Sequence, residues 1–154
     1  MSAAVSASII PFPRAPVFHG DEAMSMAAVC RLIGVGLATG EAAIAIATPE
    51  HLAVLQAHLA KRGIDLAMAR HEQRYFPLPA ERILRDFMED GWPDGERFER
   101  VIVTLVEQAG QGRRSVRAFS QMPALLRSRG NTAAAVRLER LWNQLCKRER
   151  VLLV

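Results

Sequence analysis

No apolar run in the sequence approaches the roughly 20 residues that span a bilayer, so a membrane-crossing helix is not expected. The opening, M-S-A-A-V-S-A-S-I-I-P-F-P-R, has no basic start, and its two prolines interrupt what apolar residues it has. That pattern excludes a secretory signal, and residues 1–14 read as a flexible tail ahead of one domain over residues 15–154. Only two cysteines occur, Cys30 and Cys146, and neither has a Cys or His at ligand spacing. A zinc site or disulfide framework has nothing to build on, and both residues are expected to be reduced thiols in a cytoplasmic protein.

Motifs of catalysis are equally scarce. A phosphate-cradling loop needs G-x-x-x-x-G-K-[ST] between a strand and a helix. The junction His19-Gly20-Asp21-Glu22-Ala23-Met24-Ser25-Met26 offers one glycine, no lysine and two acids that repel phosphate. Gly34, Gly36 and Gly40 precede the central strand rather than follow it, so they make no dinucleotide fingerprint. His71-Glu72 lacks the second His of a zinc-protease helix, and Ser120 lacks the G-x-S-x-G elbow. His51 and His58 share a helix face but lie about 10 Å apart along it, too far for one metal. No enzyme activity, cofactor or metal is expected.

What is present is a patterned α/β chain of 154 residues, long enough for one domain that buries roughly 70% of its unfolded surface. Ala42 to Ala47 are continuously small or apolar, as in a strand covered on both faces, and Thr48-Pro49-Glu50 supplies a cap, a first-turn proline and an acid for the next helix. The spacing predicts helices over residues 22–37 (capped by Asp21), 49–62, 64–73, 80–89, 95–108, 123–128 and 131–147. Strands are predicted at 15–19, 74–78, 115–119 and 150–154. Pro77 removes a ladder donor, which places its strand toward an edge. The architecture expected is α/β: three layers, α/β/α, around a mainly parallel sheet. Tyr75 and Trp142 read as core residues.

In such a sheet a ligand sits outside the carboxyl ends of the strands. That rule gathers His19, Asp21, Thr48, Glu50, His51, Ser120 and Gln121 on one rim as candidate ligand-binding residues. Helix capping by Asp21 and Thr48, with the rest facing water, is the other reading of the same residues. Charge is divided unevenly: residues 1–112 carry 10 Lys and Arg against 14 Asp and Glu, and residues 113–154 carry 10 against 2, giving +4 in all. The block Gly112-Arg113-Arg114-Ser115-Val116-Arg117, with Arg127 and Arg129, is either a nucleic-acid surface or a solvated face of helix ends, and the second is expected.

Four blocks in order, G-L-A-T-G-E-A-A-I-A-I-A-T-P-E-H, R-Y-F-P-L-P-A-E-R-I-L-R-D-F-M-E-D-G-W-P-D, R-R-S-V-R-A-F-S-Q-M-P-A-L-L and A-A-A-V-R-L-E-R-L-W-N-Q-L, resemble the MEDS domain, the methanogen/methylotroph DcmR-type sensory domain. The resemblance covers about residues 14–154. It implies a RecA/KaiC-like fold, here without a phosphate-binding loop, and a non-catalytic sensory role in bacterial signal transduction of the two-component kind. It also implies a small-molecule ligand, dichloromethane in the founding member, and output through a histidine kinase or transcriptional regulator. Since the chain ends at Val154, output through a separate protein partner or a homo-oligomer is expected. The alternatives are a nucleic-acid-binding module and a degenerate ATPase-like domain. Departures fall at recognisable places: Arg14 and His19 where the family opens with a His and a Tyr, Pro79 where it has Asp, and Ser120-Gln121-Met122 where it has Gly-Glu-Met. Two carboxylates are thereby lost, which implies lost or altered ligand binding.

Overall fold

A computed structural model describes residues 25–111 and 113–154. The chain runs α1 (Met26–Ala38), β1 (Ala42–Ala47), α2 (Pro49–Lys61), α3 (Leu66–His71), β2 (Tyr75–Pro79), α4 (Ala80–Phe87) and a short hairpin of β3 (Met88–Glu89) and β4 (Trp92–Pro93). It continues through one long helical stretch made of α5 (Gly95–Phe98), a π-helical segment (Glu99–Val103) and α6 (Thr104–Gly110). β5 (Val116–Ser120), α7 (Met122–Ser128), α8 (Thr132–Arg148) and β6 (Val151–Leu153) complete it. The main sheet has the order β2-β1-β5-β6, with every pairing parallel. β2, with Pro77 opposite Ala45, is an edge strand as its proline demands.

β1 is buried at all six positions because it divides two cores. Ala42, Ile44 and Ile46 point into a cluster built with α4 to α8, where Phe87, Phe98, Ile102, Met122, Leu138 and Trp142 are fully buried. Ala43, Ala45 and Ala47 point the other way, into a smaller cluster with Val29, Ile33, Leu52, Leu55, Leu59 and Tyr75 from α1, α2, α3 and β2. Alternation along one strand thus sets the three-layer α/β/α arrangement. Each large side chain so buried contributes roughly 1.5–3 kcal/mol of transfer free energy. Two donors in these cores, the Tyr75 hydroxyl and the Trp142 indole N–H, have no hydrogen-bond partner of good geometry among the described residues. Burial pushes the Tyr75 phenol up to about 12, against the opposing pull of Arg70, whose guanidinium carbon is 5.9 Å from the ring centroid.

Caps fall where short polar residues precede apolar periods. Thr48 accepts from the backbone N–H three residues on, as expected, and Asp94 and Asn131 do the same for α5 and α8. Two expectations are corrected. α1 takes its cap from Ser25, four residues beyond Asp21, which with the predicted strand at 15–19 lies outside the described residues. The helix predicted over 80–89 stops at Phe87, because Met88–Glu89 pair antiparallel with Trp92–Pro93. The hairpin turn is Asp90-Gly91, with φ of 50° and 75°, and that pair of left-handed residues is what a tight hairpin requires.

Cys30 and Cys146 are both free. Burial raises both thiols, Cys146 to about 11. A thiol is reactive only as thiolate, so a raised pKa keeps both protonated until the pH is well into the alkaline range. Iodoacetamide labelling of Cys146 at about pH 8 is expected to be roughly two orders of magnitude slower in the folded protein than in denaturant, and to accelerate as pH approaches 11. Equal rates in the two states would contradict the burial.

Candidate functional site

Two strands of this sheet send their following helices to opposite faces. β1 leads into α2, in the layer of Val29 and Leu55, while β5 leads into α7 and α8, in the layer of Phe98 and Trp142. β1 and β5 are neighbours, so the switch point lies between their carboxyl ends, where an open α/β sheet leaves a crevice.

Side chains bridge the switch point itself. The Thr48 backbone N–H donates to Gln121 Oε1 at 2.9 Å, and Gln121 Nε2 lies 2.8 Å from His51 Nδ1. Thr48 Oγ1 is also 2.8 Å from His51 Nδ1 and accepts from the His51 backbone N–H at 3.3 Å. The Gln121 backbone N–H in turn donates to the Ile46 carbonyl at 2.8 Å, fixing the residue at the end of β5. The proton positions follow by elimination. A backbone N–H only donates, so the atom of Gln121 that meets it is the carbonyl oxygen, which turns the amide NH₂ toward His51. An amide NH₂ also only donates, so in that contact His51 Nδ1 is the acceptor.

Of the seven residues expected on this rim, Thr48, His51 and Gln121 come together in one network. Ser120 is adjacent, opposite Ile46, but its hydroxyl accepts from Met122 N–H at 3.4 Å and does not join. Glu50 is exposed, with no hydrogen bond or ion pair among the described residues, and complements the first turn of α2. His19 and Asp21 lie outside the described residues. Thr48 is both helix cap and member of the bridge, so the two readings of the rim meet in one residue. No group of three His, Cys, Asp or Glu among the described residues could hold a metal ion.

The family model of the methanogen/methylotroph DcmR sensory domain, MEDS, matches residues 16–154. The chain belongs to the MEDS family. MEDS is a sensory domain family, consistent with a sensory or regulatory role for this chain and with a non-enzymatic one. No curated protein and no solved structure matches it. No described helix is long and apolar enough to cross a membrane.

Elsewhere in this MEDS domain five of the ten basic residues over 113–154 are engaged, among them four of the five arginines of the sequence block. Arg117 pairs with Glu41 at 2.7 Å, Arg127 with Glu139 at 2.6 Å, Arg129 with Glu81, and Arg148 with Glu99 at 2.5 Å. Arg114 donates to the Glu72 carbonyl at 3.3 Å. The sequence block is therefore not one continuous cationic face. Sequence reasoning missed the group at the amino ends of the strands. Arg117 Nη1 donates to the Leu32 carbonyl at 2.8 Å, and Arg74 donates to the Leu37 carbonyl at 2.9 Å and to Glu72 at 2.7 Å. These arginines fasten the second half of α1 to the sheet. Gly36 is required beside them, because a Cβ there would stand 2.7 Å from Arg117 Cδ and 2.9 Å from its Nε.

Proposed function

We propose that the chain is a non-catalytic sensory domain that binds a small polar ligand in the crevice between the carboxyl ends of β1 and β5. The signal passes to a protein partner, a histidine kinase or transcriptional regulator, or to a second copy of the chain. The observation that carries this reading is the Gln121 bridge across the switch point, from Thr48 N–H to His51 Nδ1. A ligand that reaches these groups must displace an internal amide, which ties occupancy to the relative position of α2 and β5. Glutamine in place of the family's glutamate removes a negative charge from the crevice and favours a different ligand from that of carboxylate-bearing relatives. Membership of a sensory family supports the same reading. Nucleic acid is not a partner in this reading, given the pairing of Arg117, Arg127, Arg129 and Arg148.

A thermal-shift screen of polar metabolite-sized compounds tests it on wild type and on Gln121→Leu. At about 100-fold excess over Kd a bound compound stabilises by ~2.7 kcal/mol, which is an upshift of roughly 5–10 °C in a domain of this size. The wild type is expected to respond to at least one compound, and the variant to lose or change that response. No ATP hydrolysis above a heat-treated control is expected. An unresponsive wild type, or turnover that survives further purification, contradicts the proposal.

A further inference from the structure

At the opposite rim, where β5 and β6 begin, two connections distant in sequence meet. The Val116 backbone N–H donates to the Arg150 carbonyl at 3.1 Å, and beside this contact lies a cleft of about 180 Å³ floored by Val106 and Val116. That is room for one small ion and part of its hydration. Its walls carry charges of both signs: Glu107, Arg113, Arg114, Glu149 and Arg150. Arg114 is steadied from behind by its bonds to the Glu72 carbonyl. The side chains of Arg113, Arg150, Glu107 and Glu149 make no hydrogen bond or ion pair with described residues, although they border the same cleft.

Arginines and carboxylates around one small space are selective together in a way that neither is alone. Guanidinium forks match a tetrahedral oxyanion through paired N–H donors. A carboxylate has no hydrogen to give, so it tolerates an oxyanion only where that anion presents an O–H. Inorganic phosphate keeps at least one proton at neutral pH, whereas sulfate keeps none. We propose that this cleft is a binding site for protonated inorganic phosphate, with Arg113, Arg114 and Arg150 as donors, Glu149 as acceptor of the hydroxyl hydrogen of hydrogen phosphate, and Glu107 as acceptor of the second one that the dihydrogen form carries. Three arginines against two carboxylates leave the net charge favourable to an anion. The site stands apart from the β1–β5 crevice and is independent of the function proposed there.

Arg113 and Arg114 follow the carbonyl end of α6 and Arg150 that of α8, and stabilising those helix ends would by itself predict no preference among oxyanions. The full chain is titrated by amide chemical-shift mapping with sodium phosphate, sodium sulfate and glycerol 3-phosphate, all at one ionic strength so that general screening is constant. Phosphate is expected to shift the backbone amides around Gly110, Arg114, Val116 and Arg150 saturably, and at least about tenfold more tightly than sulfate. Arg113→Ala with Arg150→Ala removes two exposed side chains and is expected to weaken phosphate at least about tenfold. Glu149→Gln, which substitutes an amide donor for an acceptor, is expected to bring sulfate close to phosphate. The wild-type comparison needs no variant to fold. Sulfate binding as tightly as phosphate, glycerol 3-phosphate binding more tightly, a non-saturating phosphate response, or Glu149→Gln leaving the preference intact would each overturn the assignment.

Discussion

Phe98→Ala is expected to lower the unfolding free energy by about 3–5 kcal/mol, the largest single-residue effect predicted for this domain. The ring is fully buried and stands between two other rings, 5.5 Å from Phe87 at an interplanar angle of 81° and 5.6 Å from Trp142 at 83°. Both are edge-to-face contacts, each worth ~0.5–1.5 kcal/mol beyond the area they bury. Truncation therefore removes the transfer term, two ring contacts and the packing that joins α4 and α5 to α8, and it leaves a cavity in the larger core. Against a typical total of 5–15 kcal/mol the loss is a large fraction. Urea denaturation should show the midpoint falling with the slope unchanged, whereas Val54→Ala, at a 41% exposed position, should move it by less than about 0.5 kcal/mol. A Phe98→Ala cost below ~1.5 kcal/mol would mean that the aromatic cluster is not a rigid part of the core.

Glu41→Gln is expected to cost about 3 kcal/mol, far above a surface ion pair. The Glu41 and Arg117 side chains are only 19% and 15% exposed, and Glu41 accepts the Arg117 Nε–H at 2.7 Å. Gln fills the same space and keeps one acceptor oxygen, but it removes the negative charge and leaves the largely desolvated guanidinium with only neutral acceptors, the amide oxygen and the Leu32 carbonyl. Partial exposure holds the loss toward the lower end of the range for buried pairs. Arg117→Met should cost a comparable amount, and the double variant Glu41→Gln with Arg117→Met less than the sum, by a coupling of ~1–3 kcal/mol. Additive single effects, each under about 0.5 kcal/mol, would show the pair to be screened by solvent and α1 to be held by its apolar face alone.

How far the sequence discloses all this depends on the range of the interaction. Local signals were legible. The apolar run at 42–47 announces a doubly covered strand, Pro77 announces an edge, and Thr48, Asp94 and Asn131 announce helix starts. Met88 misled because it fits the helical period of α4 and packs on the core from a strand equally well. The Asp90-Gly91 pair held the competing turn signal. The Glu41–Arg117 contact spans 76 positions, and in sequence Arg117 looks like part of a basic block, so charge counting assigned it to a surface. The π-helical turn at Glu99–Val103 has no local signature in residue type. At the rim, topology brought Thr48, His51, Ser120 and Gln121 to one end of the sheet. Which of them bond was settled by side-chain geometry: the two-ended amide of Gln121 makes the bridge.

The most direct test of the sensory proposal is where a stabilising compound binds. Amide chemical-shift mapping of the wild-type chain with the strongest hit from the thermal screen locates it without assuming a site. The account predicts the largest shifts at Thr48, Glu50, His51, Ser120 and Gln121, on the carboxyl ends of β1 and β5. Shifts confined to the apolar groove of about 320 Å³ between α4 and α7, lined by Leu84, Met88 and Leu126, with the rim amides unmoved, would contradict it.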